Sequence, residues 1–234
     1  MGDEAMERIA SLKVILFGVG GVGSWCAESL VRTGVRRLTI VDADRVAVSN
    51  INRHLMATTK TVGKAKVEAL KERLLTINPN AEITAIEDIF TEETADRFHL
   101  DDYDYIIDAI DSLSDKALLI ELATQTKARL FSSMGAALKM DPTRIKVAEF
   151  WKVTGDPLAR ALRNKFKRQK RFPKKKFLCV FSDELLQNRG IDDTTETLLF
   201  NKVKANGSIA HITAIFGFTL AGLVIKETLP QPSL

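Results

Sequence analysis

The feature that most constrains this chain is residues 13–23, where the apolar run K-V-I-L-F-G-V gives way to Gly18-Val19-Gly20-Gly21-Val22-Gly23, a G-x-G-x-x-G pattern. A short apolar run rich in β-branched residues reads as a strand. Residues 24–33 follow with Trp25, Leu30 and Val31 recurring at helical spacing, and R-L-T-I-V at 37–41 reads as a second strand closing on Asp42. Together these predict a βαβ unit with a right-handed crossover. Glycines at this junction let the backbone turn sharply and approach a phosphate, whose charge is met by free N–H groups and the positive end of the helix. Asp42 lies 24 residues past Gly18, at a strand end, where a carboxylate accepts ribose hydroxyls. An adenosine or dinucleotide site is expected, with NAD, FAD and ATP still open.

The same periodicity continues. A helix is expected over 63–77, stopped by Asn78-Pro79, then a strand over 82–87, a short helix over 91–98, a buried strand over 103–108, a helix over 115–127 and a strand over 129–133. Alternating strands and helices predict an α/β fold, Rossmann-like and doubly wound, with a mainly parallel sheet covered on both faces. Residues 1–140 form the expected nucleotide-binding core. Residues 141–234 are expected as a C-terminal extension packing on the same domain, with strands at 144–150 and 177–181 and an apolar helix at 208–228. Residues 188–206 are polar and patternless, a candidate for a disordered or substrate-ordered loop.

Composition narrows the class. With 234 residues, 45% hydrophobic and 27% charged, the chain has a globular balance that excludes wholesale disorder, collagen and small disulfide scaffolds. The start, M-G-D-E-A-M-E-R, has no apolar run for a secretory signal, so a cytoplasmic protein is expected. The apolar stretch 209–225 is interrupted by His211, Thr213 and Thr219 and reads as a buried helix rather than a membrane span. Cys26 and Cys179 form no CxxC pair, so no zinc site is expected and both read as small core hydrophobes.

The loop after the second strand runs D-A-D-R-V-A-V-S-N-I-N-R over 42–53, followed by G-K-A-K at 63–66. A pyrophosphate held on helix amides scarcely needs extra cations, whereas a triphosphate does, and Arg53 and Lys66 supply them. Asp108-Ala109-Ile110-Asp111 places acids at another strand end on the carboxyl edge of the sheet. Asp111 is a candidate magnesium ligand, since that ion takes one or two carboxylates plus substrate phosphates. The cations of 160–176 number ten without one acid, so removing them takes the remainder of the chain from +4 to −6. Such a block reads either as a grip on a polyanion or as a solvated face.

With these residues in place, the chain resembles the ThiF/MoeB/HesA superfamily of adenylating enzymes, related to the ubiquitin-activating enzymes. The glycine loop, V-D-A-D-R-V-A-V-S-N-I-N-R, G-K-A-K and D-A-I-D carry that likeness over residues 10–140. Later residues are most similar to the branch of tRNA threonylcarbamoyladenosine dehydratases. They are Ser133-Met134-Gly135-Ala136, Asp141-Pro142-Thr143-Arg144, Asp156-Pro157-Leu158-Ala159, Val180-Phe181-Ser182, Gly207-Ser208 and Phe216-Gly217. The resemblance implies ATP bound by Gly21, Asp42, Ser49, Asn50, Arg53, Lys66 and Asp111, with Asp44 and Ser112 joining the set and Arg53, Lys66 and Asp111 nearest the reacting phosphate. It also implies a homodimer, while a monovalent cation beside the Mg2+ read from Asp111 stays open. An arginine ahead of the first strand would reach the partner subunit's ATP site, and Arg8 is the arginine found there. The implied activity is ATP-dependent cyclisation of threonylcarbamoyl-adenosine beside a tRNA anticodon. Arg160, Arg163, Lys165, Lys167, Arg168, Lys170, Arg171, Lys174 and Lys175 would then grip the tRNA.

Three other readings remain at this point. A nicotinamide oxidoreductase would use the glycine loop and Asp42 but has no need of Arg53, Lys66 and Asp111. An activator of a sulfur-carrier or ubiquitin-like protein, with a cysteine desulfurase or sulfur-carrier partner, would turn the basic segment toward an acidic protein tail. A noncatalytic RNA-binding adaptor would use the basic segment alone.

Overall fold

The computed structural model describes residues 2–188 and 206–229. Its centre is a seven-stranded sheet in the order β3-β2-β1-β4-β5-β7-β6. The strands are β1 (Lys13–Phe17), β2 (Arg37–Val41), β3 (Glu82–Ile86), β4 (Tyr105–Asp108), β5 (Arg129–Ser133), β6 (Ile145–Glu149) and β7 (Leu178–Ser182). All neighbours pair in parallel except β6, which runs antiparallel to β7 at one edge. The strands from 145–182 therefore extend the same sheet as the nucleotide-binding half.

Strand β1 illustrates why both faces are covered. Successive side chains point to opposite faces, so Val14 and Leu16 pack with α2 (Gly23–Thr33), α3 (Lys66–Ile77) and α6 (Ala210–Thr228). Ile15 and Phe17 pack on the opposite face with α4 (Leu113–Ala123) and α5 (Pro157–Gln169). Burying each such side chain contributes roughly 1.5–3 kcal/mol. Cys26 and Cys179 lie fully buried in these two cores, and burial raises both thiols well above the usual range, which leaves them as packing residues.

Helix α6 has the length and composition to cross a bilayer. Here one face buries Ile212, Phe216, Leu220 and Val224 in the core. Its approach to α2 is close: a Cβ on Gly217 would lie 2.5 Å from the Val22 carbonyl oxygen, so glycine is required at that crossing. Helix α5 starts where local chemistry dictates, with the Asp156 carboxylate accepting from the Ala159 amide at 2.8 Å and Pro157 in the first turn.

The structure departs from the sequence reading in several elements. Only a 3-10 turn, Ala95–Phe98, forms within the helix expected over 91–98. The helix expected from 63 begins at Lys66, and that expected to 127 ends at Ala123. An N-terminal helix α1 (Asp3–Ser11) precedes the first strand, carrying Arg8 in an exposed pair with Glu4 at 2.5 Å. The loop expected between Asn188 and Asn206 lies outside the described residues.

Candidate active site at the carboxyl edge of the sheet

Strand order reverses between β1 and β4, which places the glycine loop beside the loop leaving β4, the crevice where open α/β sheets bind ligands. The two loops touch. Gly18 has φ +83°, and a Cβ there would lie 2.6 Å from the Ala109 carbonyl oxygen, so any other residue meets both strain and collision. Gly20 lies against His54, Gly21 against Thr213 and Arg53, and Gly23 opens α2. Among the described residues the amides of Gly20, Gly21 and Val22 have no hydrogen-bond partner, and no side chain caps α2. An anion is suited to this set of free donors at a positive helix end.

The Val19 amide instead donates to Asp42 Oδ2 at 2.9 Å, and the Asp44 amide to Oδ1 at 2.9 Å. This fixes the Asp42 carboxylate at the end of β2. Burial raises its proton affinity, and the positive charge of Lys66 opposes that rise. Lys66 is itself buried, with Nζ 3.7 Å from Asp42 Oδ1 and 2.7 Å from Asp44 Oδ2. The lysine therefore helps keep Asp42 an acceptor.

Arg53 sits on a turn that follows the 3-10 segment Val48–Asn50, in which Asn50 Oδ1 accepts from the Ala47 amide at 3.1 Å. Its Nη1 donates to the Ser49 carbonyl and to Asn52 Oδ1, both at 2.9 Å. Burial lowers its proton affinity while the charge of Asp111 raises it, so the two groups face each other electrostatically. Asp111 and Ser112 stand at the entrance to α4, Asp111 exposed and Ser112 half-buried. Arg53 thus packs against Gly21 of the glycine loop with the charge of Asp111 acting on it, and Lys66 reaches the same edge through Asp42, whose carboxylate holds the Val19 amide, while Ser49 is represented by its backbone and an exposed side chain.

Asp108 stands at the carboxyl end of β4 as expected, but it is closed to a ligand. It is 0% exposed, paired with Lys116 Nζ at 2.7 Å, and accepts from Ser132 Oγ at 2.6 Å and the Ile110 amide at 3.1 Å. Lys116 also donates to the Ile110 carbonyl at 3.0 Å. This closed network supports the loop that carries Asp111; only Asp111 is available to a ligand. Among the described residues no group of three or more His, Cys, Asp or Glu is placed to hold a metal ion. A single exposed carboxylate is too small a set to hold magnesium by itself, since that ion takes one or two carboxylates and needs phosphates or waters for the rest.

The contacts of His54, Thr213 and Asn52 were absent from the sequence reading. His54 is buried beside Gly20, and its Nδ1 has no hydrogen-bond partner among the described residues. Burial, reinforced by the Lys66 and Arg53 charges, lowers its pKa to about 3, so the ring is neutral. Thr213 of α6 closes one side of the glycine loop, and Asn52 Nδ2 ties the Arg53 turn to the Ser208 carbonyl at 2.9 Å. No local pattern announces either contact, since Thr213 reads only as a break in an apolar run.

The basic segment runs from the carboxyl edge to the amino edge. At its start, Asp156 Oδ2 accepts from the Gly135 amide, beyond β5, at 3.1 Å. At its far end Lys174 N donates to Thr124 Oγ1 at 3.0 Å and Lys175 Nζ donates to the Thr126 carbonyl, between α4 and β5. Four of the nine cations expected to face a polyanion are engaged within the protein. Arg163 donates to the Phe150 and Val153 carbonyls at 3.2 and 3.0 Å, Lys165 to Ser114 Oγ at 3.3 Å, Arg171 pairs with Glu92 and Glu121, and Lys175 is bonded as above. Arg160, Lys167, Arg168, Lys170, Lys174 and the adjacent Lys176 present exposed side chains without a partner among the described residues.

Comparison with known proteins places this geometry in context. The model of the ThiF family matches residues 1–231. The chain is 42% identical to the tRNA threonylcarbamoyladenosine dehydratase of Bacillus subtilis over 98% of this chain and 91% of that protein. It is 35% identical to the enzyme of that name from Haemophilus influenzae over 98% and 90%. The crystal structure of Escherichia coli tRNA N6-threonylcarbamoyladenosine dehydratase in complex with ATP superposes with a TM-score of 0.85 at 35% identity, covering 97% of this chain and 89% of that one.

Proposed function

The chain belongs to the ThiF family, and from that premise we propose that it dehydrates N6-threonylcarbamoyladenosine in tRNA at the expense of ATP. The observation that carries the proposal is the set of open amides in the glycine loop at the β1/β4 switch, with Arg53 packed on Gly21 under the influence of the Asp111 charge and Lys66 beside Asp42. The adenosine end is assigned to Asp42, whose carboxylate accepts ribose hydroxyls. The free amides of Gly20, Gly21 and Val22, with Arg53 and Lys66, hold the phosphates, and Asp111 takes an accompanying Mg2+. Asn50 and Ser49 shape the turn that presents Arg53.

ATP supplies the group that activates the threonyl carboxylate. The protein then has little covalent chemistry to perform, because the attacking carbamoyl nitrogen belongs to the same substituent as the carboxylate. Positioning and charge neutralisation suffice. The deep burial of Cys26 and Cys179 accords with a reaction that uses no protein thiol. The six unpartnered cations along and beyond α5 are assigned to the tRNA backbone, whose charge they meet without reading sequence. A cytoplasmic site of action is our reading, since ATP and tRNA are both available there.

We further propose that the protein works as a homodimer. The outer face of α6 leaves Phe218 46% exposed and Gly222 with nothing near its Cβ position, an apolar stripe suited to a second copy. The direct test is incubation with ATP and threonylcarbamoyl-modified tRNA, then mass analysis of the released nucleosides. The cyclised nucleoside is lighter by one water. An unchanged mass under conditions where the protein binds both ATP and tRNA would overturn the assignment.

A further inference from the structure

At the amino-edge end of the basic segment stand two large aromatic side chains that the ATP-dependent step does not use. Trp151 is 42% exposed and Phe172 44% exposed, with ring centroids 6.3 Å apart and planes tilted by 39°. Neither is there to fill the core. The core beneath them is filled by Phe150, fully buried, stacked on Phe177 at 5.0 Å and edge-on to Phe166 at 5.9 Å. Trp151 rests edge-on against Phe150 at 5.1 Å, and its backbone amide is held by Glu149 Oε2 at 3.2 Å. The indole is therefore fixed on a rigid support before any partner arrives.

Cations surround the pair in sequence. Lys152 follows Trp151, Lys170 and Arg171 precede Phe172, and Lys174, Lys175 and Lys176 follow it. The acids Glu92 and Glu121, which would repel a polyanion, are already paired with Arg171. We propose that Trp151 and Phe172 form a stacking platform for an unpaired nucleotide of the RNA substrate, with the neighbouring lysines holding its phosphates. This rests on the tRNA reading above and adds to it a preference for single-stranded over duplex regions. Two rings tilted by 39° cannot both lie parallel to a base inserted between them, so the base stacks on an outer ring face. Every base offers a π-face, which makes such a platform tolerant of sequence.

An anionic membrane would also attract lysines and aromatic rings, but an interfacial helix buries its apolar face in lipid. The apolar face of α5, formed by Ala159, Leu162 and Phe166, is buried in this protein's own core. RNA is the occupant that the remaining surface fits.

The test compares the parent, Trp151→Ala, Phe172→Ala and Trp151→Phe in filter-binding titrations. The probes are an unmodified tRNA transcript, an RNA duplex of matched length, and phosphatidylserine vesicles. Each alanine variant should weaken tRNA binding about five- to a hundredfold, leave the salt slope unchanged because no ion contact is lost, and leave duplex binding intact. Trp151→Phe should stay within a few-fold of the parent and lose the tRNA-induced quench of tryptophan fluorescence. Melting curves establish that each variant is folded; Phe172→Ala serves if Trp151→Ala is not. Parent-like tRNA affinity in both alanine variants overturns the platform while leaving the tRNA reading standing, as does an equal loss on duplex. Loss of vesicle binding alone replaces RNA by lipid. A parent that binds no tRNA overturns both readings together.

Discussion

Replacing Lys116 by methionine removes the cation from the Asp108 network while keeping most of the volume. Both partners are 0% exposed and lie 2.7 Å apart, so no water replaces the lost ammonium. Asp108 retains two neutral donors, Ser132 Oγ at 2.6 Å and the Ile110 amide at 3.1 Å, which do not balance a full negative charge in a dry interior. Breaking a buried pair from one side typically costs about 3–5 kcal/mol. At about 2–4 °C per kcal/mol for a chain of this size, the melting temperature should fall by about 6–20 °C. A typical domain holds about 5–15 kcal/mol in reserve, so Lys116→Met should remain folded at room temperature in most of that range. Adding Asp108→Asn removes the orphaned charge and should restore more than half of the loss. The Ile110 carbonyl also loses its donor, so ATP affinity, measured well below the melting point, should weaken as the loop bearing Asp111 loosens. Circular dichroism melts and calorimetry decide it. A single variant melting within about 2 °C of the parent, or a double variant no more stable than the single, would refute the argument.

His54 should make the protein acid-sensitive. The unfolded chain takes a proton near pH 6.5 that the folded ring refuses until about pH 3, so stability is full above 6.5 and lost as pH falls. The loss is up to about 1.4 kcal/mol per pH unit, and His54→Gln should flatten the stability–pH curve between pH 6 and 4; identical slopes refute the burial argument. Asp42→Ala should weaken ATP binding about tenfold or more by calorimetry, and unchanged affinity removes Asp42 from the site. Arg53→Ala and Asp111→Asn should cost turnover about a hundredfold or more with little thermal change, whereas Lys66→Ala, being buried, should lose both; the pairing of activity with melting temperature checks this. Changing Lys167, Arg168, Lys170, Lys174 and Lys176 together to Ala should reduce the salt slope of tRNA binding by about one unit per lost contact, while Arg163→Ala should chiefly lower stability. Equal slopes for parent and quintuple variant would return these cations to a solvated face.

The strand, glycine turn and helix of 13–33 were legible because each depends on residues a few positions apart, and the backbone strain at Gly18 is local. Asp42 was legible for the same reason, since a strand length and a crossover length set where the acid lands. Arg53, Lys66 and Asp111 were legible as types in order, without their mutual placement. The brief helix α1 and the 3-10 turn at Ala95–Phe98 were missed or overextended because a short segment holds too little periodicity to separate helix from turn. Which of two acids in D-A-I-D is buried was undecidable from the chain alone. Pleat alternation and the arrival of Lys116 from α4 put Asp108 inside and left Asp111 outside. Likewise the neutral state of His54, the closure of the glycine loop by Thr213 from the far end of the chain, and the inward turn of Arg163 all arise from contacts between distant segments. Sequence by itself determined the fold class and the chemical inventory of the edge, because propensity, spacing and charge are properties of neighbours. Tertiary structure decided which of those groups are desolvated, paired or free, because burial and electrostatic partners are set by whatever the fold brings alongside.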